Sequence, residues 1–120
     1  MIKYKNFKVW QKSHSLVLEV YKIAISFPKE EQFNLVSQIK RAAISIPTNI
    51  AEGSGRETQK ELIRFLYISS GSAHELEYLI TISAELNLIS KEKSDVLLDE
   101  IDQIKKMLAV LITKIKESIN

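Results

Sequence analysis

From Leu97 to Ile119 an aliphatic residue returns at alternating steps of four and three: Leu97, Ile101, Ile104, Leu108, Leu111, Ile115 and Ile119. A helix lines such positions up as one stripe, and a seam of this period sustained over about three heptads is what antiparallel helix bundles bury. The spacing fits helical and not strand periodicity. The rest of the chain must therefore supply helices for this one to pack against.

It does. Val9, Trp10, Leu16, Val17, Val20, Tyr21, Ala24 and Phe27 give a first helix from about Phe7 to Phe27. Pro28 ends it, because proline disfavours helical geometry in the residue before it. The "PKEE" that follows reads as the N-terminal signature of a second helix. In that helix Val36, Ile39, Ala43, Ile46 and Ile50 form a seam that runs past Pro47. Pro47 is thus expected inside the second helix, as a kink. Gly53 and Gly55 are expected to break the pattern, and "TQKE" (Thr58 to Glu61) to open a third helix as a capping box. The third helix carries two seams, Leu62–Leu66–Ser69–Ala73–Leu76–Ile80–Ser83 and Phe65–Ile68–Ser72–Leu79–Ile82–Leu86. Two stripes mean burial on two sides. "LNLIS" turns the chain near Asn87, and Ser90 is placed to cap the last helix. The expectation is an all-α, antiparallel up-down-up-down four-helix bundle, a single domain over residues 1–120.

Composition removes other classes. Three glycines and two prolines are too few for a turn-rich sandwich or barrel, and the absence of cysteine excludes disulfides, thiolate zinc sites and cysteine nucleophiles. No apolar run approaches the roughly 18 residues of a membrane span. The first residues, "MIKYKNFKVWQKSH", lack the apolar core of a signal peptide. A soluble cytoplasmic protein is expected.

Reactive chemistry is hard to place. "HELEY" (His74 to Tyr78) is not the HExxH zinc motif, because position 78 is tyrosine. Neither His14 nor His74 has a glutamate three residues before it, as the di-iron bundles require. Both histidines read as ordinary helix residues, and no enzyme, metal or cofactor is expected. "GSGR" (Gly53 to Arg56) lacks the phosphate-loop pattern and follows no strand. Amides at the start of the third helix beside Arg56 could hold a phosphate; the plainer reading is that the glycines only turn the chain.

On the second helix Gln38, Arg41, Ser45, Thr48 and Glu52 share a face at about 100° per residue, and Asn49 falls on the seam's edge. This is either a hydrogen-bonded brace for the proline kink, with Ser45 or Thr48 satisfying freed carbonyls, or a ligand-facing stripe. Ile44 points away from the seam. With Phe65 and Ile68 on the third helix's second stripe, it suggests a contact between copies.

The stretch from Phe7 to about Ile89 resembles the four-helix bundle family of 23S rRNA intervening-sequence proteins. "FPKEEQFNLVSQIKRAAISIPTNIAEGSGR" and "RFLYISSGSAHELE" carry the resemblance; the last helix matches only in its heptads. The resemblance implies a homopentamer with a central channel. It also implies encoding within rRNA gene insertions or elsewhere in bacterial genomes, and no established catalytic activity. A related branch, the accessory proteins of diversity-generating retroelements, works with a reverse transcriptase and binds nucleic acid. Arg41, Pro47, Asn49, Glu52, Gly53 and Arg56 fall on the family's motif, without assigned roles.

Charge gives the functional lead. Residues 1–60 carry ten Lys/Arg against five Asp/Glu, and residues 61–120 seven against ten. This split suggests a polyanion partner or head-to-tail self-association, or simply two solvated faces. The candidate RNA or DNA contacts are Lys5, Lys8, Lys12, Lys40, Arg41, Arg56, Lys60 and Arg64, with Glu52 expected to neutralise Arg41 in part. No aromatic stacking platform is evident. Two functions follow: a homo-oligomer that binds nucleic acid through a basic surface, or a scaffold that binds another protein.

Overall fold

The structure, a computed structural model, describes residues 3–119. Four helices form a rod of 48 × 22 × 19 Å: α1 (Lys8–Ala24), α2 (Leu35–Ser54), α3 (Gln59–Glu85) and α4 (Lys91–Ile119). Each packs on two neighbours, α1 on α2 and α4, and α3 on α2 and α4, and among the described residues the backbones of the diagonal pairs stay apart. Cross-helix partners run in opposite directions along the chain. Ser45 meets Ser72 while Gly53 meets Phe65, and Glu77 meets Lys105 while Tyr67 meets Lys116. The expected antiparallel bundle is present.

Local chemistry explains most boundaries. Thr58 Oγ1 accepts the Glu61 amide at 3.2 Å, so the expected cap opens α3. At the far end of α3 Asn87 takes a left-handed φ of 60°, and the Leu88 and Asn87 amides bond back to Ser83 and Ala84. That is a Schellman stop, with asparagine tolerating the conformation glycine usually fills. Ser90 Oγ then accepts the Lys93 amide at 3.2 Å and caps α4, as its place in the sequence suggested.

Three expectations need correction. "PKEE" does not open α2: Lys29–Glu31 is one 3₁₀ turn, and α2 starts only after Asn34. Gln32 explains the extra turn. Its amide nitrogen donates to the Ala24 and Phe27 carbonyls, both at 3.2 Å, and so satisfies groups left open at the end of α1. Gly53 does not break α2, which continues to Ser54, and neither glycine adopts positive φ. A Cβ on Gly53 would lie 2.7 Å from Phe65 Cβ, so this glycine serves the close approach of α2 and α3. Finally, the α4 seam departs from strict heptads. Ser94, Leu97, Ile101, Ile104, Leu108 and Ile112 are buried, whereas Leu111 and Ile115 are half-buried and Ile119 is exposed. A straight helix drifts about 20° per heptad against a 3.5-residue repeat, which moves burial from Leu111 to Ile112.

Pro47 lies within α2 and is buried, as the continuous seam required. The brace around it differs in detail from the expectation. Neither Thr48 nor Ser45 donates to a backbone carbonyl. Asn49 Nδ2 instead donates to the Ser45 carbonyl at 2.8 Å and to Ser45 Oγ at 2.9 Å. Ser45 Oγ lies 2.7 Å from Ser72 Oγ, and Ser69 Oγ donates to the Ile46 carbonyl at 2.9 Å. Ser69 of α3 thus holds the α2 backbone just before the proline, and Ser72 holds the Ser45 side chain one residue earlier. No buried side-chain nitrogen or oxygen among the described residues lacks a partner.

Candidate nucleic-acid interface

Antiparallel packing sorts the charges by the ends of the rod. One end holds the start of α1, the α2–α3 turn and the last turns of α4. This half, residues 3–15, 45–72 and 106–119, carries ten Lys/Arg against four Asp/Glu. The other half, residues 16–44 and 73–105, carries seven against eleven. The split read along the sequence is therefore a split along the long axis, and it is steeper: +6 against −4.

Six of the eight candidate contacts gather at the basic end. Lys5 sits in the 3₁₀ turn Tyr4–Asn6 that Gln11 Nε2 holds by its bond to the Lys5 carbonyl at 2.8 Å. Lys8 and Lys12 follow on α1, Arg56 lies in the α2–α3 turn, and Lys60 and Arg64 occupy the first turns of α3. Lys40 and Arg41 do not join them; they lie early in α2, toward the acidic end. Lys3, Lys106, Lys114 and Lys116 also belong to this half and are not among the candidates. The signal was available only by folding the chain in mind, since the end of α4 returns to the level where α1 begins.

Arg56 is positioned twice over. Its guanidinium is 3.7 Å from Glu52, one turn back, and sits 4.8 Å from the Phe65 ring centre. Glu52 therefore pairs with Arg56 and not with Arg41, which is eleven residues, about 16 Å, further back along the helix. Lys116 donates to the Tyr67 hydroxyl at 2.6 Å. Aromatic rings accompany the basic end but pack on one another. Tyr4 stands edge-on to Trp10 at 5.0 Å, and His14 stacks on Trp10 at 4.9 Å with planes 6° apart.

Of the residues proposed to meet another copy, Ile44 and Ile68 remain exposed, at 41% and 42%. Phe65 is buried within the bundle against Gly53 and is covered by Arg56. Leu79 is also buried, and Leu86 is exposed, so the second seam of α3 is only in part an outward face.

Groups that react are not brought together. His74 Nδ1 lies 2.8 Å from the Ser70 carbonyl on its own helix, and His14 is occupied with Trp10. No three His, Asp or Glu residues among those described are grouped to hold a metal, and no helix is long and apolar enough to cross a membrane.

The sequence model of the 23S rRNA-intervening sequence protein family matches residues 5–110. The chain belongs to that family. Among solved structures, a Bacteroides thetaiotaomicron protein of unknown function from the S23 ribosomal protein family shares its fold. The TM-score is 0.83 at 24% identity, covering 93% of this chain and 99% of that one. No curated protein matches the sequence. Membership of the 23S rRNA-intervening sequence protein family accounts for the four-helix fold.

Proposed function

We propose that this chain is a non-enzymatic, single-domain, cytoplasmic protein that self-associates and binds RNA or DNA through its basic end. The observation that carries the reading is the excess of ten Lys/Arg over four Asp/Glu in one half of the rod. Such a surface suits phosphates, which supply affinity without reading base sequence. Exposed Ile44 and Ile68 support the self-contact, with the pentamer implied by the family resemblance as the expected assembly. A cyclic ring would gather every basic end on one rim and multiply the phosphate contacts.

Gel shift at increasing salt tests the binding. Affinity should fall roughly tenfold to a thousandfold between low and moderate salt. Lys60→Ala and Arg56→Ala should weaken all sequences alike and flatten the salt slope by about one unit each. Light scattering at micromolar concentration tests assembly: a monomer rejects it, and Ile44→Lys should dissociate the oligomer.

A cleft between α1 and α4 favours the second reading, a scaffold that binds another protein such as a reverse transcriptase. Phe7, Val9, Met107, Val110 and Leu111 line about 410 Å³, framed by Lys8, Lys106 and Lys114. Failure of the intact protein to shift any nucleic acid at low salt would leave this reading in place.

A further inference from the structure

Away from the basic end, a second surface combines cations with aromatic rings. Where the 3₁₀ turn Lys29–Glu31 leads into α2, the outer faces of α1 and α2 enclose an open hollow of about 610 Å³. Tyr21 and Phe33 form two of its walls, with Gln32, Lys40 and Arg41 around them, and its lining includes Ile44, the residue proposed above to meet another copy. Phe33 is 98% exposed, the most exposed large apolar side chain described, and nothing in the bundle packs on it. Lys40 Nζ lies 4.8 Å from the Tyr21 ring centre.

The electrostatics of the hollow are unbalanced. No Asp or Glu lines it, although the surrounding half of the rod is acidic overall. Neither Lys40 nor Arg41 has a carboxylate within 4.0 Å among the described residues, unlike Lys22, Lys91, Lys105 and Lys106. As successive residues they project from α2 about 100° apart, so they approach the hollow from two sides. Gln32 uses its amide nitrogen on the α1 carbonyls and keeps its oxygen as an acceptor.

The open face of Phe33, two cations without a carboxylate partner and a few uncharged polar groups define a ligand that is flat, aromatic and anionic. We infer that this hollow is a subsite for one unpaired nucleotide of a single strand. Its base stacks on Phe33, and its phosphate is held by Arg41 and by Lys40, which rests over Tyr21. The inference rests on the nucleic-acid reading above and adds to it a preference that the basic end does not need. A duplex presents phosphates but no open base face, whereas a single strand presents both. With few hydrogen-bonding groups present, the subsite discriminates strandedness more than base identity.

The test compares a fluorescein-labelled twelve-nucleotide uridine strand with a duplex of the same length, by anisotropy on the intact protein. The wild type should bind the strand more tightly. Phe33→Ala should weaken the strand roughly five- to a hundredfold, the range for one stacked base, and leave the duplex unchanged. Phe33 packs on nothing, so the melting temperature should not move. Arg41→Ala should also weaken the strand. A 4-thiouridine strand should crosslink to the segment that contains Phe33. If the wild type binds both nucleic acids and Phe33→Ala lowers neither or both equally, the subsite is wrong and the basic-end reading stands. If the wild type binds neither at low salt, both readings fall. If Phe33→Ala changes the size of the assembly, the hollow is a contact between copies and the inference is overturned.

Discussion

Between α2 and α3 the two backbones meet at Gly53 and are held in register by Ser45, Ser69, Ser72 and Asn49. Between α1 and α4 the arrangement differs: no side-chain hydrogen bond or ion pair joins them among the described residues, and their apolar side chains leave a cleft of about 410 Å³. The first contact depends on groups that fit in one register only. The second depends on area removed from water, which is non-directional. Precision is therefore concentrated around Pro47, where the missing amide makes α2 weakest.

The largest effect is expected at Gly53→Ala. With a Cβ placed 2.7 Å from Phe65 Cβ, one helix must shift, and overpacking of this kind costs roughly 1–3 kcal/mol. The midpoint of a thermal melt should fall by about 4 °C for each kcal/mol in a chain of this size. An unchanged melt would show that the α2–α3 approach is not rigid and would dissolve the contrast. Ser69→Ala should come next. It removes the bond to the Ile46 carbonyl and should cost about 1 kcal/mol in urea denaturation. A larger loss than at Gly53 would make hydrogen bonding, and not close approach, the dominant constraint. On the other side, Val110→Ser at the exposed rim of the α1–α4 cleft should stay within about 0.5 kcal/mol of wild type.

The smallest effect is a pH dependence on the surface of α4. A hydrogen bond and the charge of Lys106 hold the Asp102 carboxyl below its usual range. A depressed carboxyl stabilises the fold at neutral pH, and that contribution disappears as the pH falls through its folded pKa. Because the pair is exposed, Asp102→Asn should melt only marginally below wild type at neutral pH, and the two should converge as the pH falls below about 4.

These contrasts mark what could be read from residues alone. Periodicity located all four helices and carried α2 through Pro47, because a seam is a property of one segment. Thr58, Asn87 and Ser90 were legible as punctuation for the same reason. Gly53 was misread because close approach is a relation between two helices, and no local pattern reveals it. The start of α2 was misplaced because Pro28 and two acids suit a 3₁₀ turn as well as a helix start, and the bond from Gln32 decides between them. Of the eight candidate contacts, six lie at the basic end once the chain folds. Lys114 and Lys116 were not among the candidates, since their neighbourhood with Lys8 exists only after the chain folds back. Tyr21 was read as part of the α1 seam, although it is 39% exposed, and its sharing a hollow with Phe33, twelve residues on across a helix boundary, has no local signal.

The unequal charge of the two halves gives the rod an electric dipole along its 48 Å axis. Near a polyanion such a body feels a torque as well as an attraction, and it turns before it touches. Orientation is then selected during diffusion, so fewer collisions are wasted on the acidic end. The reach of this alignment is set by the surrounding ions, about 8 Å at physiological strength and about 30 Å in dilute buffer. The rate of encounter should therefore respond to salt even where the final contacts do not.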